Sequence, residues 1–239
     1  MSNIDILAFG AHPDDVELGC GGTILRHISL GFKVGLIDLT RGELGTRGSA
    51  NIRDKEAKVA AEKMGVSFRE NLLLSDGFFE NNKQNQLEVI KRIRHYRPRI
   101  ILCNSPNDRH PDHGRASQLV SEACFLSGLI KIVTEFKNHK QDPFRPYVLY
   151  NYIQYDDIKP DFLVDISPFM KKKMEIIKSY SSQFYNPESQ ELETLISTKS
   201  FLELVSSRSK DLGRFISTEY AEGFLNNRYL GVNNLFDLL

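Results

Sequence analysis

A chain of 239 residues, 41% hydrophobic and 26% charged, carries enough apolar material for one α/β core under an ordinary polar surface. Its 31 basic residues balance 31 acidic ones, so no global field draws nucleic acid or an anionic membrane. No apolar run approaches the roughly eighteen residues of a membrane span, and no basic-then-apolar leader opens the chain. Cys20, Cys103 and Cys124 are odd in number, widely spaced and free of any CxxC pair; they read as reduced residues of a cytoplasmic protein, two of them in the core.

Strands and helices alternate through the first 130 residues. Ile4 to Phe9 reads as a buried strand, Cys20 to Leu30 as a helix and Lys33 to Leu39 as a second strand. A glycine-rich loop over Thr40 to Asn51 leads into a helix from Arg53 to Met64, which Gly65 stops. Asn71 to Leu74 is a short strand, and Asp76-Gly77 a turn. Gln86 to Tyr96 is a helix, Arg99 to Asn104 a strand, and His113 to Leu129 a helix with one apolar face. Further on, Tyr147 to Ile153 and Phe162 to Val164 read as strands. Ser167-Pro168 opens a helix to about Ser182, and Leu195 to Ser206 forms the last helix. Lys171, Lys172 and Lys173 read as a solvated helix face. The pattern predicts a mostly parallel, Rossmann-like α/β sheet flanked by helices on both faces, in a single domain over 1–239.

Two polar clusters stand where open α/β sheets hold their ligands, just past strand ends. The first is His12-Pro13-Asp14-Asp15, after the first strand. The second is Asn107 to His113, with its own His110-Pro111-Asp112 and then His113. Imidazole and carboxylate suit zinc, whose catalytic sites commonly use three protein ligands. Either aspartate of the first pair would serve equally well as a helix cap. Two HPD triplets at two strand ends of one sheet favour the metal reading. His27, His95 and His139 lack such company and read as structural.

These segments, with the TRGELGTRG loop and YAEGF at Tyr220 to Phe224, resemble the PIG-L/LmbE-like zinc deacetylases over most of the chain. The similarity is greatest to the branch that deacetylates N-acetylglucosaminyl malate in bacillithiol synthesis. The resemblance implies His12, Asp15 and His113 as ligands of zinc, or of ferrous iron in the cell. It implies Asp14 as general base, His110 as electrophile or proton donor, and Asp112 as the residue that orients His110. It also implies a small N-acetylated glycoside substrate and a homo-oligomer, hexameric or trimeric.

Arg53, Arg109, Arg47 and Glu43 lie on the loops that face such a site. An arginine fork matches a carboxylate at two points, so Arg53 or Arg109 is a candidate for a malate end, the alternative being a surface ion pair. Tyr152 is one of three tyrosines on or just past a later strand that are candidates for the oxyanion. Another N-acetylated sugar or amide is the alternative substrate. A metal phosphoesterase and a non-catalytic sugar-binding module are the rival classes. Gly19-x-Gly21-Gly22 does not give the dinucleotide fingerprint.

Overall fold

The computed structural model describes residues 4–238, and the sheet that organises them has seven strands. In chain order the elements are β1 (Ile6–Gly10), α1 (Asp15–Ser29), β2 (Val34–Asp38), α2 (Ala50–Met64), β3 (Phe68–Asn71), α3 (Lys83–Tyr96), β4 (Ile100–Asn104) and α4 (Pro111–Leu126). A two-residue hairpin, β5 (Glu135–Phe136) and β6 (His139–Lys140), precedes β7 (Val148–Tyr152) and β8 (Phe162–Asp165). The chain then forms α5 (Met170–Ile177), α6 (Lys199–Arg214) and β9 (Ala221–Asn226).

The strand order is β3-β2-β1-β4-β7-β9-β8. The pairs from β3 through to β7 are parallel, whereas β9 runs antiparallel to both β7 and β8. The chain therefore leaves β1 in one direction and returns to its other side at β4. This is a switch point of the kind that opens a ligand crevice at the strands' carboxyl ends.

Alternation along the strands divides the core in two. Ile6, Ala8, Leu36 and Leu102 point to the side covered by α1, α2, α5 and α6. Leu7, Phe9, Ile37, Ile101 and Cys103 point to the side covered by α3 and α4. Full burial of side chains such as Leu7, Phe9 and Ile37 contributes about 1.5–3 kcal/mol each. All three cysteines are buried and free.

Several elements differ from the sequence reading. Helix α1 starts at Asp15, not Cys20, and is broken at Cys20 (φ −145°). The second segment survives its glycines because Glu222, on β9, accepts hydrogen bonds from the Gly22 and Thr23 backbone N–H groups (2.9 and 2.7 Å). Strand β3 precedes the leucine run: Leu72 and Leu74 pack under the loop, and Leu73 turns left-handed (φ 57°). Helix α5 ends at Ile177, five residues short of the predicted stop, while α6 runs to Arg214. The lysine face divides: Lys171 and Lys172 are exposed, but Lys173 is buried and its Nζ lies 2.7 Å from Glu222 and 2.8 Å from the Leu18 carbonyl. The strand β9 and the hairpin β5–β6 have no counterpart in the sequence reading.

Candidate active site and metal centre

At the end of β1 the chain must reverse at once into α1. Gly10 permits the fold-back, since a Cβ there would sit 2.9 Å from the His12 carbonyl oxygen. Asp14 takes a left-handed conformation (φ 113°, ψ −25°) that costs a non-glycine residue about 1–3 kcal/mol. Arg53, from α2, secures the strained residue by donating to Asp14 Oδ2 (2.6 Å) and to the Pro13 carbonyl (3.1 Å). Burial pushes the Asp14 carboxyl up to about 6, against the opposing pull of Arg53. Among the described residues, no donor is hydrogen-bonded to Asp14 Oδ1.

Asp15 is held from all sides. Its Oδ2 accepts from the His12 backbone N–H (2.9 Å) and from Asn104 Nδ2 (3.1 Å), and its Oδ1 accepts from Gln154 Nε2 (2.9 Å). Asn104 also ties the two loops together through Oδ1, which accepts from the Ala11 N–H (2.9 Å). His113 Nε2 lies 3.1 Å from Asp15 Oδ1, and His12 Nδ1 3.5 Å from Asp15 Oδ2.

The second loop reaches the same place from β4. His110 is the N-cap of α4, with Pro111 next and His113 one turn on. The His110 ring centroid lies 4.6 Å from that of His12 and 5.3 Å from that of His113. The two HPD triplets, 98 residues apart in the chain, therefore form one cluster. His110 Nδ1 accepts from the Asp112 N–H (3.2 Å), which leaves its ring proton on Nε2. Burial, then the neighbouring His12 and His113, push its pKa down, so the ring is neutral at neutral pH.

Whether these groups suit a cation is decided by what stands behind them. His12 Nε2 donates to Asp76 Oδ1 (2.9 Å) and faces Asp112 Oδ2 (3.3 Å). His113 Nδ1 faces Asp108 Oδ2 (3.2 Å). Each histidine thus places its remote nitrogen on carboxylate, the arrangement that fixes the tautomer of a metal-ligating imidazole. The nitrogens left over, His12 Nδ1 and His113 Nε2, turn their lone pairs toward Asp15. Lone pairs facing a carboxylate repel unless positive charge lies between them. Without a metal, protons supply it: burial alone would lower His12 and His113, yet the surrounding aspartates raise His12 well above its ordinary value and His113 to about 9. The donor set fits a divalent metal. Among the described residues, the groups whose ligand atoms all lie within 4.8 Å of one another are His12, His110 and His113, and His12, Asp76 and Asp112, with Asp15 in neither. His110 Nδ1 is already an acceptor, however, and Asp76 and Asp112 accept from the Leu44 and Gly77 N–H groups (2.8 Å each).

Comparison with known proteins agrees with this geometry. Residues 7–124 match the family model PIG-L, described as GlcNAc-PI de-N-acetylase. The diacetylchitobiose deacetylase of Thermococcus kodakarensis is 31% identical over 189 residues, covering 75% of this chain and 70% of that one. The chain belongs to the PIG-L deacetylase family. A probable N-acetyl-alpha-D-glucosaminyl L-malate deacetylase 2 from Bacillus anthracis is 24% identical, covering 75% of this chain and 81% of that one. The crystal structure of the conserved protein TT1542 from Thermus thermophilus superimposes with a TM-score of 0.85 at 34% identity, covering 96% of this chain and 98% of that one. The protein is thus a metal-dependent amide hydrolase.

The remaining predicted residues of this PIG-L deacetylase fall into two groups. Arg47, Arg53 and Arg109 line the cavity over the cluster, whose volume is about 330 Å³. Arg109 is exposed, its guanidinium 5.2 Å from the Tyr155 ring centroid, whereas Arg53 is committed to Asp14. Arg47 is buried, donates from Nη2 to Ser189 Oγ (2.5 Å) and keeps an unpartnered Nε 3.6 Å from Glu191. The others correct the sequence reading. Tyr152 does not reach the cavity: it is fully buried and its hydroxyl donates to the Phe9 carbonyl (2.9 Å). Glu43 points away and accepts from the Asp76 N–H (3.0 Å), bracing that turn. The Asp112 carboxylate backs His12 and Arg115, and only its backbone N–H touches His110.

Four groups of the site escape a sequence reading: Asp76, Asp108, Asn104 and Gln154. Asp76 follows the short strand β3, and Gln154 follows β7. A search for lone polar residues just past each parallel strand would have found both.

Proposed function

We propose that this deacetylase removes the N-acetyl group from an N-acetylglucosaminyl conjugate, with N-acetylglucosaminyl malate of bacillithiol synthesis as its substrate. The observation that carries the reading is Asp14, a carboxylate with one oxygen free, beside a histidine–aspartate cluster under a rim that bears Arg47 and Arg109. A sugar-binding module has no use for a strained, buried carboxylate that keeps one oxygen free. A two-metal phosphoesterase needs bridging carboxylates, which Asp76 and Asp112, turned to backbone N–H groups, do not supply.

His12, Asp15 and His113 would hold zinc, or ferrous iron in the cell. Bound there, the ion supplies Lewis acidity and lowers the pKa of water to about 7. Asp14 Oδ1 takes a proton from the attacking water, because its partner Arg53 keeps Oδ2 occupied and the carboxylate aimed. His110 donates from Nε2 to the carbonyl oxygen as negative charge develops there. A donor in that role is worth roughly 3 kcal/mol in a well-studied protease. Asp14 then returns its proton to the departing nitrogen, since an amide nitrogen leaves poorly as an anion. Arg109, exposed at the rim, pairs with the malate carboxylate, and Arg47 offers a second contact once Glu191 yields it.

A homo-oligomer in the cytoplasm completes this reading. Leu44 and Phe78, 61% and 76% exposed beside the cavity mouth, support an assembly, and sedimentation velocity tests it. Among the described residues no helix is long and apolar enough to cross a membrane.

The 31% identity to a diacetylchitobiose deacetylase favours a neutral disaccharide as the second reading. An amine-release assay of the metal-analysed protein on N-acetylglucosaminyl malate, N-acetylglucosamine and diacetylchitobiose separates the two. Preference for the malate conjugate, reduced by Arg109→Ala on that substrate alone, is the expected result. Equal loss on all three removes the carboxylate role.

A further inference from the structure

The cavity does not end at the metal centre. It continues inward between α1, α6 and the start of β9, where Leu18, Ile153, Phe201, Val205 and Leu212 form its wall. Leu18, Ile153 and Phe201 are only 6–8% exposed, and Val205 and Leu212 beside them are half-buried.

Three of the polar side chains that share this wall are engaged, while among the described residues Ser209 Oγ has no hydrogen bond and Gln154 Oε1 is buried without a partner. Lys173 is committed to Glu222 and the Leu18 carbonyl, and Glu222 also to the Gly22 and Thr23 N–H groups. Arg208 donates to the carbonyls of Gln154 (2.7 Å) and Asp156 (2.5 Å). A sugar laid against Leu18, Phe201 and Leu212 would turn most of its hydroxyls to carbon, whereas Arg109 stands exposed at the outer rim. With the scissile amide at the metal centre, the one part of an N-acyl sugar that needs no hydrogen bond is the acyl tail. A single acetyl methyl leaves most of this apolar wall without a partner.

We propose that this deacetylase takes straight N-acyl chains longer than acetyl, of butyryl to hexanoyl length, with the tail in the chamber walled by Phe201, Val205 and Leu212. The inference rests on the deacetylase reading and deepens it, and it is tested without turnover.

Calorimetric titration of acetate, butanoate and hexanoate, the carboxylate products of such cleavage, into the metal-loaded protein reads the chamber directly. The expected result is a gain of about fourfold in affinity per added methylene, the equivalent of about 0.8 kcal/mol. Val205→Trp and, separately, Leu212→Trp fill the chamber and should flatten that slope while leaving acetate affinity unchanged. Flat or falling affinity from acetate to hexanoate in the unaltered protein overturns the proposal, as does a slope that persists in both folded tryptophan variants. Failure of amine release from every acetylated glycoside would instead strike the deacetylase reading, while the titration still decides whether the chamber takes an acyl tail.

Discussion

Arg53 controls the proton affinity of Asp14, and its removal should move the acid limb of the pH–rate profile upward. The guanidinium lies 2.6 Å from Asp14 Oδ2 and the two side chains are 7% and 5% exposed, so water screens the pair poorly. With charge centres roughly 4 Å apart and an effective dielectric of about 20, the attraction is on the order of 4 kcal/mol. That sets a ceiling of about three pH units, and an arginine beside an aspartate ordinarily lowers it by about one to three. The base works as a carboxylate, so activity falls as pH drops through its pKa. Burial holds that value at about 6 even with Arg53 in place, and a bound cation lowers it further. In Arg53→Ala the limb should therefore rise by about one to three units from the wild-type position. Activity near pH 6 should fall by about tenfold or more, with much of the loss recovered near pH 9. Arg53→Lys should lie between the two. The assay is kcat/KM for amine release across that range, at matched metal content. An acid limb that stays put while activity drops uniformly would show that the limb belongs to another group.

Asp14→Asn should abolish turnover, retain bound metal and stabilise the chelated protein. The Asp14 carboxyl titrates near 6 in the fold against an ordinary 3.8, so the wild type loses about 2 kcal/mol relative to the variant as pH rises from about 4 to 6. Urea midpoints at the two pH values check it, and a constant difference refutes the burial cost. Glu222→Gln weakens three hydrogen bonds and leaves the Lys173 ammonium buried without a counter-charge. Such a loss costs about 3–5 kcal/mol, and Lys173→Met in the same chain should recover a part of it that a double-mutant cycle measures. A cost below about 1 kcal/mol would mean that water reaches the pair. Tyr152→Phe should lose about 1 kcal/mol of stability with kcat unchanged, because its hydroxyl serves only Phe9. A large fall in kcat would return Tyr152 to the site.

How much of this is legible in the sequence depends on whether a group's neighbours are local. His12, Asp14 and Asp15 lie within four positions, and His110 and His113 within one helical turn, so their density alone marks both halves of the site. Asp76 and Gln154 stand alone among ordinary loop residues, and only the parallel sheet brings them to His12 and Asp15. The third lysine of the run at 171–173 reads as solvated because its counter-ion, Glu222, is 49 residues further on. Strand β9, Ala-Glu-Gly-Phe-Leu-Asn, has no clean alternation, since its glutamate serves the Gly22 and Thr23 N–H groups and its glycine faces Pro160. Arg53 reads as a partner for an incoming carboxylate because nothing local to it shows that Asp14 claims it first.

The place of β9 sets a schedule for biosynthesis. It is inserted between β7 and β8, so a nascent chain that has emerged only through β8 has made that strand before the neighbour it pairs with. The same late strand carries the glutamate that closes the break in α1, some two hundred residues upstream. The start of α1, which carries Asp15, is therefore locked only once β9 has been made, and the hydrolase stays unfinished until then.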